Sequence, residues 1–281
     1  MIDYFKYRVF RNNYGIKDKP SHKHCVNLEY SRINNVGDAL SPIIVEWMLN
    51  KKSITINKTT NKTKHLMAVG SIVGRGRFDS TIWGSGVLKD DVEERLIKQS
   101  FYKKYDIRAV RGPITRNALI HAGYKCPEVY GDPAILMPLI YNPSKEKKYP
   151  YSVILHHRTS LSLATNENSY EMLVPKGMNV INPATTDYKE FIDAILASEF
   201  IISSSLHGII IAESYGVPAV FLNFGVKDQV IKFDDWFRST GRSLSYCLSI
   251  EDAFTSKTTG ISDLEKMQNR LMEVFPYDLW E

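Results

Sequence analysis

Cysteine is scarce and scattered in this chain: Cys25, Cys126 and Cys247 are an odd number in 281 residues and form no C-x-x-C pair. That pattern suggests neither a disulfide framework nor a cysteine-based zinc site, and it predicts reduced thiols in a cytoplasmic protein. No apolar run approaches 18 residues, and the opening MIDYFKYRVFRNNYG lacks the apolar core of a secretory leader, so neither a membrane-spanning helix nor export is expected. The sequons at Asn57-Lys-Thr and Asn61-Lys-Thr then read as coincidental. No repeat or low-complexity tract is present, and with no RRM, KH or helix-turn-helix signature nucleic acid is not an expected partner. No ligand cluster requires a metal, and no bound cofactor is expected.

What is present is enough apolar sequence, 43% of the residues, to bury a sizeable core, which rules out a disordered or fibrous chain. The formal charge of +5 is uneven. Residues 1–64 hold 12 Lys and Arg against 5 Asp and Glu, a local +7, while the rest holds 24 against 26, or −2. A basic segment of this kind suits an acidic lipid surface, nucleic acid or a diphosphate-bearing substrate, and equally a solvated face with no partner.

Short apolar runs alternate with helical patterns along the first half: strands over 25–30, 65–70, 81–86, 106–112 and 128–132, with helices over 39–50 and 113–122. The charged stretch 51–64 reads as an exposed loop. The polar, proline-bracketed segment 141–150 marks the domain boundary, placed at 145/146. Strands then follow over 151–158, 179–181, 199–202 and 219–222, with helices over 187–198, 206–215, 228–239 and a closing amphipathic helix over 262–275. Alternation of this kind predicts an α/β protein of two Rossmann-like domains.

The most informative segment is IISSSLHGIIIAESYGVPAVF, 201–221. A buried strand ends at Ile202, three serines precede a helix, Gly216 suits a left-handed C-terminal cap and Pro218 blocks continuation. In such a unit the helix N-terminus faces the crevice beyond the strand's carboxyl end, where unpaired N–H groups and the helix dipole favour an anion. Ser204, Ser205, His207 and Gly208 are therefore candidate anion contacts, with His207 either a ligand group or a helix-start histidine satisfied by local carbonyls. Glu213, two turns on, is structural or touches a ligand hydroxyl.

Other motifs carry two readings each. Asn35, Gly37 and Asp38 lie just before an amphipathic helix, and Asp38 is its N-cap, an active-site base, or both. GSIVGRGRF, 70–78, with Arg75 and Arg77, is a backbone nest for an anion or a surface loop. Gly84, Ser85 and Gly86 permit close ligand approach or form a plain tight turn. Arg111 ends a strand ahead of Gly112 and Pro113, so it points to the inter-domain crevice, to grip a carboxylate or phosphate or to make a structural salt bridge. Asp132 in GDPA caps a helix start and is secondarily an acid/base candidate. His157 and Arg158 close the first strand of the second half, and because adjacent strand residues face opposite ways, His156 and His157 do not share one metal.

Taken together, N-V-G-D at 35–38, W-G-S-G at 83–86, V-R-G-P-x-T at 110–115, G-D-P-A at 131–134 and S-S-L-H-G-x-x-x-A at 204–212 resemble the polysaccharide pyruvyltransferase family, in order and over most of the chain. The resemblance implies a GT-B-like fold, with an acceptor-side domain over 1–145 and a donor-side domain over 146–281 facing across a cleft. It implies transfer of pyruvate from phosphoenolpyruvate to a sugar of a surface glycan, with no further cofactor. His207 would bind phosphate and pass a proton, Arg111 would hold a donor anion, and Asp38 would activate a sugar hydroxyl. Many members carry arginine two residues before the histidine. Ser205 stands there in this chain, which leaves Arg111, Arg158 or the Arg75/Arg77 loop to supply cations. A lipid-linked oligosaccharide acceptor at the inner membrane face would give the basic N-terminal segment a contact. Two other functions fit the same features: a GT-B glycosyltransferase using a nucleotide sugar, with Glu213 as its ribose-binding acid, and a non-catalytic anion- or glycan-binding protein.

Overall fold

The computed structural model of the chain describes residues 22–31, 33–88, 92–156, 174–223 and 230–281. His157, Arg158 and the basic residues before position 22 lie outside them.

Two parallel four-stranded sheets organise the fold. The first contains β1 (Val26–Glu29), β2 (Lys64–Met67), β3 (Ser80–Trp83) and β4 (Tyr105–Ala109) in the order β1-β2-β3-β4, with Leu28 opposite Leu66 and Ile82 opposite Ile107. The second contains β5 (Tyr149–Ile154), β6 (Asn179–Val180), β7 (Ser198–Ser203) and β8 (Ala219–Phe221) in the order β6-β5-β7-β8. The helices are α1 (Val36–Asn50), α2 (Val92–Ser100), α3 (Pro113–His121), a 3-10 turn over Pro133–Leu136 leading into α4 (Met137–Ile140), α5 (Tyr188–Leu196), α6 (Leu206–Ser214), α7 (Val230–Ser239), α8 (Ile250–Ala253) and α9 (Leu264–Glu273). The fold is thus mixed α/β with parallel sheets, as the alternating pattern predicts.

Besides the short helices α4 and α8, which were not expected, two longer segments differ from the sequence expectation. The strand expected over 128–132 is a single bridge between Val110 and Tyr130. Asp132 then accepts a hydrogen bond from the Ala134 N–H (3.0 Å), and Pro133 has no N–H to give a ladder, so the chain turns into a 3-10 helix before a strand gains length. Helix α2 was not expected. Val92, Leu96 and Gln99 form one narrow buried stripe on it among charged residues, too little apolar signal to stand out.

The largest core runs through both halves, joining Leu40, Trp83 and Ile135 to Ile210, Trp236 and Leu271. The closing helix packs on the first half. Gln268 donates from Nε2 to the Ile135 carbonyl (2.7 Å), the Trp83 indole donates to the Leu271 carbonyl (2.8 Å), and the Tyr277 hydroxyl donates to the Met48 carbonyl (2.9 Å). Among the described residues no helix is long and apolar enough to cross a membrane.

Candidate active site

In the second sheet β6 lies on one side of β5 and β7 on the other. Successive connections therefore leave in opposite directions, and the carboxyl ends of β5 and β7 open the crevice where open α/β sheets bind ligands. The chain crosses that point as Ser204 and Ser205 and enters α6. Ser204 ties the two strand ends: its N–H donates to the Ile154 carbonyl (2.9 Å) and its Oγ accepts from the His156 N–H (2.8 Å). The Ser203 hydroxyl braces the turn by donating to the Ser205 carbonyl (2.9 Å) and accepting from the Ser205 N–H (3.0 Å). Ser205, extended at φ −102°, occupies the N-cap of α6 but its side chain makes no cap bond. The first-turn N–H groups of Leu206, His207 and Gly208 thus have no acceptor within the helix, which leaves the positive end of the dipole available to an anion. Glycine at 208 lets the helix start hard against the strand, because a Cβ there would strike the Ser203 hydroxyl.

The N-terminus of α1 meets this turn. Val36 N–H donates to the Pro183 carbonyl (3.0 Å) and Asn34 Nδ2 to the Ala184 carbonyl (2.7 Å), which fastens the start of α1 to the loop after β6. Gly37 lies against the His207 ring so closely that a Cβ would overlap Nδ1, Cγ and Cε1. One residue on, Asp38 is not the N-cap of α1, a position Asn35 takes, but lies within its first turn, buried and accepting a hydrogen bond from Asn35 Nδ2 (2.7 Å). Burial pushes the Asp38 carboxyl above its ordinary range. The charge of His207, the Asn35 hydrogen bond, and the charges of Lys232 and Arg75 act in the opposite direction. The two halves therefore supply one constellation: Asp38 and Arg75 from the first, His207 and Lys232 from the second.

Asp132 completes it. The carboxylate is fully buried at the start of the 3-10 turn; Oδ1 is its cap oxygen and Oδ2 lies 3.6 Å from His207 Nε2. Among the described residues both Asp132 Oδ2 and His207 Nε2 are buried without a hydrogen-bond partner.

The remaining candidate residues are engaged elsewhere or support this group. Arg111 does not face the crevice. It is completely buried and donates from Nε to Asp235 (3.1 Å), from Nη1 to Ser71 Oγ (2.7 Å) and from Nη2 to the Val87 carbonyl (2.7 Å). Glu213 is also withdrawn from any ligand: Arg242 grips both its oxygens (2.6 and 2.8 Å) and the Trp236 indole donates to it (3.0 Å). Ser85 is buried and donates to the Gly70 carbonyl (2.7 Å). Gly84, at φ +86°, touches Pro133, and Gly86 faces the Arg111 guanidinium. This turn therefore supports the Gly70 loop and Asp132 from behind. Arg75 is half-buried in that loop, and Arg77 is exposed. His157 and Arg158 lie outside the described residues.

Lys232 is the site residue that sequence reasoning missed. It is buried in α7 with Phe233, Asp235 and Trp236, and a lysine three residues before an aspartate on the apolar face of a helix is the signal that could have pointed to it. No cluster of three or more metal-ligating side chains occurs among the described residues. What the constellation can do is hold an anion and move protons. It brings helix N–H donors and the His207 ring together with a carboxyl of raised affinity for protons, within reach of the charges of Lys232 and Arg75.

Residues 31–224 match the family model described as polysaccharide pyruvyl transferase. The chain is 30% identical over 236 residues to an uncharacterized protein of Acanthamoeba polyphaga mimivirus, covering 78% of this chain and 76% of that one. It is 27% identical over 187 residues to the succinoglycan biosynthesis protein ExoV of Rhizobium meliloti (strain 1021), covering 63% of this chain and 54% of ExoV. Among solved structures it is similar to an uncharacterized protein of Klebsiella pneumoniae subsp. pneumoniae NTUH-K2044, with a TM-score of 0.45, 13% identity, and coverage of 84% of this chain and 93% of that one.

Proposed function

The chain belongs to the polysaccharide pyruvyl transferase family, and from that premise we propose that it transfers pyruvate from phosphoenolpyruvate to a sugar of a surface-polysaccharide precursor, forming a cyclic ketal and releasing phosphate. One observation carries the reading: the open N-terminus of α6 and its His207 are packed through Gly37 onto the start of α1, beside the buried Asp38. This contact supports the reading of an anion site beside a proton-transfer group at the junction of two Rossmann-like halves of GT-B type.

The chemistry balances with these groups. One sugar oxygen adds to C2 of the donor as C3 gains a proton, and the second adds as the C2–O bond to phosphate breaks. Of the two hydroxyl protons, one ends on C3 and the other on phosphate. Asp38, whose burial makes its carboxylate a stronger base, takes the first hydroxyl proton, and His207 lies at the phosphate. With Ser205 in place of a cation at the turn, Lys232 and Arg75 supply the nearby positive charge. A lipid-linked acceptor at the inner face of the membrane, met by the basic N-terminal segment, belongs to the same proposal. The nucleotide-sugar alternative loses its support, because the acid it needs, Glu213, is locked by Arg242 and Trp236.

The test is phosphate release from phosphoenolpyruvate with galactose-, glucose- and mannose-terminated acceptors, followed by mass analysis of the sugar. Acceptor-dependent release with pyruvate added as a ketal is expected. Donor binding without release under every acceptor would favour the non-catalytic reading, and affinity for UDP or GDP without affinity for phosphoenolpyruvate would overturn the proposal.

A further inference from the structure

We propose that Asp132 is a positioning residue that fixes the tautomer of His207, accepting the Nε2 proton so that Nδ1 is the ring nitrogen that serves the donor's phosphate. The chemical half of this inference rests on the pyruvyl-transfer reading above; the contact itself rests on the fold.

Capping the 3-10 turn requires one acceptor oxygen, and Asp132 Oδ1 supplies it to Ala134. Nothing in that role needs a second, fully buried oxygen. A buried carboxylate oxygen without a donor costs free energy, so Oδ2 is costly where it stands unless a donor reaches it. The candidate donor is His207 Nε2, itself buried and unsatisfied at 3.6 Å. The gap is about 0.7 Å beyond a normal hydrogen bond, and catalytic hydrogen bonds tighten when substrate binds. The other side of the ring is equally constrained. Gly37 packs on the ring over Nδ1, Cγ and Cε1, so the imidazole is wedged between α1 and the 3-10 turn with Nε2 toward Asp132. A carboxylate on one nitrogen sets which nitrogen keeps its proton and steadies the imidazolium when it forms. In the second half of the reaction the C2–O bond to phosphate breaks with its electron pair on the phosphate oxygen. The neutral ring takes at Nδ1 the proton of the hydroxyl that adds to C2, becomes the imidazolium, and gives that proton to the departing phosphate oxygen, which returns His207 to its Nε2–H form.

Asp132→Asn is the informative variant, because asparagine keeps an oxygen for Ala134 while presenting an amide to Nε2. We expect a nearly unchanged melting temperature, a KM for phosphoenolpyruvate within about threefold of wild type, and kcat lower by roughly 10²- to 10⁴-fold. In ¹⁵N-histidine-labelled protein without substrate, His207 should carry its proton on Nε2 in wild type and on Nδ1 in the variant. In a His207→Ala background, Asp132→Asn should cost nothing further. Unchanged kcat, an unchanged tautomer, or a loss of stability with full activity per folded molecule would each overturn the proposal. If wild type releases no phosphate, the pyruvyl-transfer reading fails and the tautomer measurement still decides the contact. If Asp132→Asn does not fold, an Nδ1–H tautomer in wild type alone overturns it.

Discussion

At the scale of single residues the opposing forces on Asp38 give the sharpest expectation. Burial raises its pKa in the folded state, and His207, Asn35, Lys232 and Arg75 offset only part of that effect. A carboxyl whose folded pKa is raised binds its proton more tightly in the native than in the unfolded chain. Its stabilising contribution is therefore complete below the ordinary value of 3.8 and is lost as pH rises through the folded value. Asp38→Asn keeps the shape and an acceptor for Asn35 but removes the buried charge. It should melt a few degrees higher than wild type at pH 7, the scale on which about 1 kcal/mol moves a domain of this size, and the advantage should vanish below pH 4. Phosphate release should fall by roughly 10²- to 10⁴-fold. A melting scan from pH 3.5 to 8 beside the activity assay checks both, and a lower melting temperature at pH 7 would mark Asp38 as structural. Asp38 and His207 were legible in the sequence because each sits at a helix start announced by its own neighbours. The Asp132 contact was not, since Oδ2 reaches His207 only across the fold. Arg111 stayed ambiguous for the same reason: its answer, Asp235, lies 124 positions away.

At the scale of elements, the candidate site is the place where two helix N-termini come into contact, and Gly37 is the point of contact. In α1 itself glycine is a poor choice, costing up to about 1 kcal/mol against alanine, so local preference favours Gly37→Ala. The His207 ring opposes it, since the new Cβ would occupy the space of Nδ1. The expected result is a protein that folds, with a melting temperature within a few degrees of wild type, while kcat falls tenfold or more because the imidazole has moved. Normal activity in Gly37→Ala would show that the ring position is immaterial. The alternation of strands and helices, most boundaries within two or three residues, was readable from apolar periodicity and caps. Two of the elements that defied that reading did so for local reasons. The 128–132 segment carries strand-like residues, but Asp132 and Pro133 start a turn before pairing can extend. Helix α2 buries too thin a stripe to announce itself.

For the whole molecule, the question is what holds the α7 half, with Lys232, against the Arg75 loop. Asp235 of α7 reaches the first half, where it accepts from Arg111 Nε (3.1 Å), the Thr115 hydroxyl (2.6 Å) and the Thr115 N–H (3.0 Å). One carboxylate from the second half thereby neutralises a buried guanidinium and caps the first turn of α3. Gly112 makes room for it, because a Cβ there would overlap the Asp235 carbonyl. Arg111 can be the clasp between halves or a grip on the donor, and the two roles have different signatures. A clasp predicts that Arg111→Met leaves Asp235 charged, buried and short of its strongest partner, at a cost of about 3–5 kcal/mol. The melting temperature should then drop by roughly 10 °C or more, with the KM for phosphoenolpyruvate unchanged among the molecules that remain folded. Replacing both partners, as Arg111→Met with Asp235→Leu, should cost less than the sum of the two single changes, since no unpaired charge is left behind. A donor grip predicts the reverse, a KM raised tenfold or more with little change in melting. Full burial and three satisfied donors place the weight on the clasp. Without that clasp α7 is no longer tied, through Arg111, to Ser71, so the variant's residual activity should fall further with temperature than wild type's, well before the protein melts.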